Sequence, residues 1–179
     1  MSHNNSFAAK KVHFLNRWHA ARVGRMKARA VGFVSSPEPR TIGSFARGRQ
    51  LLAGNFLFAG HLLEQKGADL WELPAPNADF ALELNGFDWL DDLAAVGDAP
   101  ARDLAQQWLW GWIERYGRGR GPGWTPELTG RRLIRWINHA IFVLRGTEGA
   151  DSDAFYASLY RQTHFLARRW QAAAHGLPR

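Results

Sequence analysis

The chain has 179 residues, 46% hydrophobic and 22% charged, which is the composition of one ordinary globular domain with room for a real core. It contains no cysteine, so a disulfide framework, a thiolate metal site and a thiol nucleophile are all excluded. The net charge of +7 is unevenly spread: residues 1–50 carry ten Lys/Arg against one Glu, residues 51–103 two against ten acids, and residues 104–179 eleven against five.

A basic surface attracts polyanions of any kind, so nucleic acid, anionic lipid and acidic polysaccharide all remain open at this level. The N-terminal stretch MSHNNSFAAKKVHF has no apolar run behind its charges. No segment approaches the roughly 18 to 20 apolar residues of a membrane span. The expectation is a soluble chain without a signal peptide, cytoplasmic by default.

Taken in chain order, Phe7 to Val31 places Phe14, Trp18, Ala21 and Arg25 at helical spacing among many Lys and Arg residues, and predicts a basic amphipathic helix. The SSPEPR stretch ends it, and order resumes near Ser44. Residues 1–43 are thus a basic helix with its linker, and 44–179 a helical domain. Apolar residues between flanking glycines at 55–64 predict a short β-arm.

From Pro76 the pattern becomes helical, with helices expected at about 77–85, 88–96, 99–117, 127–145 and 151–174. GDAP, GRGRGPGWTP and GTEGAD connect the last four. Asp98 is placed to cap the third of these helices with Pro100 in its first turn, Gly146 to end the fourth, and Asp151 or Ser152 to cap the fifth. The fold class is all-α, a string of antiparallel helical hairpins.

The nine tryptophans invite a sugar-stacking reading, but Trp108, Trp110 and Trp112 point in different directions on one helix and are mostly core candidates. Trp124, in a Gly/Pro loop, and Trp136, between arginine stripes, are the candidates for facing a ligand. Arg132, Trp136 and His139 recur at i, i+4 and i+7, with Arg131 on the flank, so they could present one stripe to a sugar ring and its carboxylate. The alternative is that Arg131, Arg132 and Arg135 are a solvated helix face or pair with Glu127 and the acidic helix at 88–96. Asn138 and His139 are candidates for charge neutralisation and a base, and Tyr156, Tyr160 and His164 share another stripe with acid/base capacity. No His spacing matches a metal signature, and Asp88, Asp91 and Asp92 are simply acids near a helix start. No cofactor is implied.

The block NGFDWLDDLAAVGDAPARDLAQQWLWGWIERYGRGRGPGWTPELTGRRLIRWINHAIFVL resembles the N-terminal α-helical domain of heparinase II/III-like proteins of the alphaproteobacterial type. The resemblance runs from about Gly54 to Arg179, through Phe87-Asp88-Trp89-Leu90, Gly97-Asp98, Trp108 to Trp112, Gly121-Pro122 with Trp124, and Gly130-Arg131-Arg132-Leu133 before Trp136. It implies part of an incomplete (α/α) toroid followed by a β-sandwich domain, and cleavage of a uronic-acid polysaccharide by β-elimination. The family's catalytic Asn, Tyr and His stand on later helices and in the second domain, and no match to those motifs occurs before Arg179. The chain is therefore expected to be a truncated N-terminal portion without activity of its own, with Trp124, Arg131, Arg132 and Trp136 as substrate-binding residues. The rival reading is a non-catalytic helical polyanion-binding module. Nucleic acid is disfavoured as the polyanion, because the aromatic residues lie in predicted helices without a recognition-helix or single-strand-binding motif.

Overall fold

A computed structural model describes residues 2–27, 30–34, 42–147 and 149–173, with side chains from Phe7 onward. The chain is mainly α-helical with one two-stranded arm, as the periodicity predicts. The expected SSPEPR linker and the chain end from Ala174 lie outside the described residues. Among the described residues no helix is long and apolar enough to cross a membrane.

Helix α1 spans Ser2–Gly24 and lies against α8 (Ala150–Arg169). The apolar stripe expected to pack it faces outward, leaving Phe14 and Trp18 exposed. Asn16, Ala20 and Val23, at i, i+4 and i+7, are the buried face instead. Asn16 accepts a hydrogen bond from Arg169 Nε at 2.8 Å, tying the two ends of the chain together.

Helix α2 (Phe45–Ala53) starts where Ser44 Oγ accepts from the Arg47 N–H, and it packs on α4 (Asp88–Val96). Asp92 of α4 fixes that junction, with Oδ1 accepting from Ser44 N–H at 2.8 Å and Oδ2 3.2 Å from Arg47 Nε. The arm follows: β1 (Asn55–Phe58) pairs antiparallel with β2 (His61–Glu64), with Phe56 opposite Leu63. Its inner face buries Phe56 against Trp108 and Phe58 against Phe80.

Helices α3 (Ala78–Gly86) and α4 meet at Phe87, a non-glycine residue with φ of 64°. A left-handed phenylalanine costs on the order of 1–3 kcal/mol, so something must hold it. Its ring is fully buried against Trp89 at 4.7 Å, Trp136 at 5.4 Å and Trp112 at 5.9 Å. Helix α5 (Ala99–Tyr116) begins at Asp98, whose side chain accepts from the Ala101 N–H with Pro100 in the first turn, as expected. It buries Trp108, Leu109 and Trp112 and meets α4, α7 (Ala140–Leu144) and α8.

The single helix expected at 127–145 is two helices, α6 (Pro126–Asn138) and α7, broken at His139 with φ −104° and ψ 18°. The cap of α8 also differs: Gly149 takes the N-cap position, and Ser152 Oγ donates to the Gly149 carbonyl rather than capping the helix itself. Leu133 is buried as predicted and Ile137 partly so.

The loop between α5 and α6 seats α1 by backbone contact. A Cβ built on Gly119, whose φ is +79°, falls 1.9 Å from the Ala20 carbonyl oxygen, and one on Gly24 falls 1.9 Å from that of Arg118. Gly119→Ala therefore combines backbone strain with a clash that no rotamer relieves. It is expected to lower stability by about 1–3 kcal/mol in urea titration and to speed proteolytic cutting of α1.

Candidate functional site

The predicted ligand stripe faces the interior. Arg132 and Trp136 are 0% exposed, Trp124 is 4% and His139 is 6%, while Arg131 alone of the group stands in solvent. The groove assignment for Trp124, Arg132 and Trp136 is corrected on this point: those side chains form the centre of the core.

Among the described residues Arg132 has no carboxylate within ion-pair distance. Its Nε donates to Gln162 Oε1 at 2.7 Å, and Nη1 lies 3.1 Å from the Gly123 carbonyl and 3.3 Å from that of Asn85. The guanidinium carbon sits 4.0 Å from the centroid of the Trp112 ring. Burial pushes the guanidinium down to about 9, which leaves it charged at neutral pH. Trp124 stacks on Trp112 and donates its indole N–H to the Tyr116 carbonyl at 2.8 Å, and Trp136 stacks on Phe155 at 5.4 Å. None of these groups is free to meet a sugar.

The neighbouring stripe splits by position. Arg135 reaches back to α4, with Nη2 2.6 Å from Asp88 Oδ1 and Nε 3.0 Å from Asp91 Oδ2. This is the pairing with the acidic helix that the sequence left open. Burial raises the Asp88 carboxyl above its ordinary range, against the lowering pull of Arg135 and Arg131. His139 joins the same cluster, its Nε2 2.7 Å from Asp91 Oδ1. In the neutral ring, an Nε2–H donating to that carboxylate leaves the lone pair on Nδ1. The helix breaks at 139, where the ring meets Asp91 from 48 residues away, a contact that helical periodicity does not encode.

Asn138 and His139 open on a cleft of about 580 Å³ between α4, the start of α5, α7 and the segment Ile42–Gly43. Arg102 and Arg145 line it as well. Sequence reading did not single out these two arginines, which lie 43 residues apart and share no helix face. The cleft therefore combines a carboxylate-backed imidazole, an amide and two guanidinium groups, suited to an acidic ligand with a transferable proton.

On α8, Tyr160 and His164 stack at 4.1 Å and His164 Nδ1 lies 2.9 Å from the Tyr160 carbonyl, so their stripe is closed on itself. Among the described residues no group of three or more His, Asp or Glu is placed to hold a metal ion.

Comparison with known proteins adds one relative. The chain is similar to FtsZ-localized protein C of Caulobacter vibrioides (strain NA1000 / CB15N), 30% identical over 152 residues that make up 82% of this chain and 25% of that protein. It spans about a quarter of that relative's length. No family model matches the chain, and no solved structure matches it.

The adjacent arginines give a direct check on the buried arrangement. Arg132→Ala strips four acceptors of their donor, on Gln162, Asn85, Gly123 and Thr129, and is expected to cost about 3 kcal/mol or more in urea titration. Arg131→Ala, on the solvent side of the same turn, should change stability by no more than about 0.5 kcal/mol.

Proposed function

We propose that this chain is the helical, glycan-holding portion of a heparinase II/III-like lyase, and that its cleft seats a uronate carboxylate on Arg102 and Arg145. The observation that carries the reading is the convergence of those two arginines with Asn138 and the Asp91-backed His139 on one concavity. The resemblance in the block from Asn85 to Leu144 supports the same assignment.

In β-elimination a base takes the C5 proton of the uronate, the electron pair forms the C4=C5 double bond, and the C4–O bond breaks with a proton delivered to the leaving oxygen. Arg102 and Arg145 would neutralise the charge that develops on the carboxylate, and His139 would accept the proton. Among the described residues lining the cleft there is no tyrosine or second histidine to protonate the leaving group. On this reading the chain binds substrate and depends on residues outside it for turnover.

A second reading rests on the similarity to FtsZ-localized protein C. The helical portion would then serve localisation with FtsZ, with or without a glycan in the cleft. A fluorescent fusion of this chain that stays diffuse in cells where FtsZ is assembled would remove that reading.

For the glycan reading, isothermal titration with an unsulfated oligouronate should show affinity falling tenfold or more, or about 1.4 kcal/mol, in Arg102→Ala/Arg145→Ala. Far-ultraviolet circular dichroism should not change. Unaltered affinity in a folded double variant would reject the cleft. The isolated chain should release no product with the ultraviolet absorbance of an unsaturated uronate, and release that is lost in His139→Ala would place the whole reaction within this chain.

A further inference from the structure

On the opposite flank of α5, the end of α1, the loop 117–121 and the middle of α8 enclose a basin of about 500 Å³. Among the described residues its lining holds five cations, Arg25, Lys27, Arg118, Arg120 and Arg161, and no acid. None of the five forms an ion pair among the described residues.

Cations near the C-terminus of a helix are ordinary, since they complement its dipole, and that accounts for Arg25 and Lys27 beside the end of α1. It does not account for Arg118 and Arg120, brought in by a loop, or for Arg161, in the middle of another helix. Arg161 Nε is buried without an acceptor. Burial, and next the charge of Arg118, lower the Arg161 guanidinium from its ordinary range, which disfavours its charged form. The backbone contacts at Gly24 and Gly119 hold the end of α1 against the loop that carries Arg118 and Arg120.

We infer that this basin binds a compact diphosphate group of a soluble ligand, with Arg118 and Arg161 as its central contacts. A single phosphate carries about −1.5 to −2 at neutral pH, too little to balance five cations, and two linked phosphoryl groups come closer. Guanidinium groups bind phosphoryl oxygens in bidentate fashion, and a ligand oxygen would supply the acceptor that Arg161 Nε lacks. The site is separate from the Arg102/Arg145 cleft, so either assignment can fail without the other.

The test is isothermal titration of the whole chain with inorganic pyrophosphate at about 0.15 M salt, where exposed charges are screened beyond roughly 8 Å. Saturable one-to-one binding is expected, weakened tenfold or more in Arg118→Gln/Arg161→Gln. It should stay within twofold in Lys10→Gln/Lys11→Gln, which removes the same charge from the exposed side of α1. If circular dichroism shows the first double variant unfolded, the exposed Arg118→Gln alone should still weaken binding threefold or more. Equal losses in the Lys10/Lys11 and Arg118/Arg161 variants would mean diffuse attraction and would overturn the site, as would the absence of binding at millimolar pyrophosphate.

Discussion

The fold depends on one buried cation, Arg132, that meets no anion among the described residues. Arg132 of α6 reaches Asn85 at the end of α3, Gly123 in the loop before α6, and Gln162 on α8, so a single side chain cross-links four segments. Neutral acceptors and the face of Trp112 stand in for a carboxylate. An isolated ion in an apolar core is expensive, and removing any one of these acceptors would leave charge uncompensated. The arrangement also explains a loop glycine: a Cβ on Gly123 would lie 2.8 Å from Asn85 Oδ1 and 3.1 Å from Arg132 Nη1. The glycines of GRGRGPG thus serve close approach, Gly119 to α1 and Gly123 to the arginine, which is why a glycine-rich stretch here need not cradle a phosphate by its own backbone.

Around this centre the aromatic side chains form a continuous set. Trp112 touches Trp124 and Trp136, Trp136 stacks on Phe155, and Phe87 reaches both Trp112 and Trp136. Such offset and edge contacts add about 0.5–1.5 kcal/mol each beyond area burial. They offset the strained backbone at Phe87, whose conformation lets α3 turn directly into α4 and present Asp88 and Asp91 to Arg135. The cluster at Asp91 then sets the break at His139, and the break places Asn138, His139 and Arg145 around the cleft. Core packing and candidate chemistry are consecutive steps of one chain of constraints.

The parts of this architecture legible in the sequence are those written in local chemistry. Asp98 with Pro100, the start near Ser44 and the hairpin at 55–64 are signalled within a few residues, and Trp108, Trp112 and Leu133 follow from helical period. What could not be read depends on partners far along the chain. Arg132 finds Gln162 30 residues away and Asn85 47 residues away, so the same i, i+4, i+7 stripe that lines the core was equally compatible with a groove. The kink at His139 and the left-handed Phe87 are likewise imposed by Asp91 and by the surrounding indoles. In α1 the misleading signal was Phe14 and Trp18, because the small residues Ala20 and Asn16 allow the closer approach that α8 requires.

The distribution of charge follows from the same pairings. The acidic middle of the chain is taken up by arginines from either side: Arg47 on Asp92, Arg49 on Asp98, Arg115 on Asp69 and Glu72, and Arg135 on Asp88 and Asp91. Among the described residues the cations of α1's end, of the 118–120 loop and of Arg161 receive no such partner, and glycine contacts hold α1 against that loop. The net charge of +7 is therefore concentrated where the acids are not. Within a screening length of about 8 Å, that local excess governs what the surface attracts far more than the sum over the chain does.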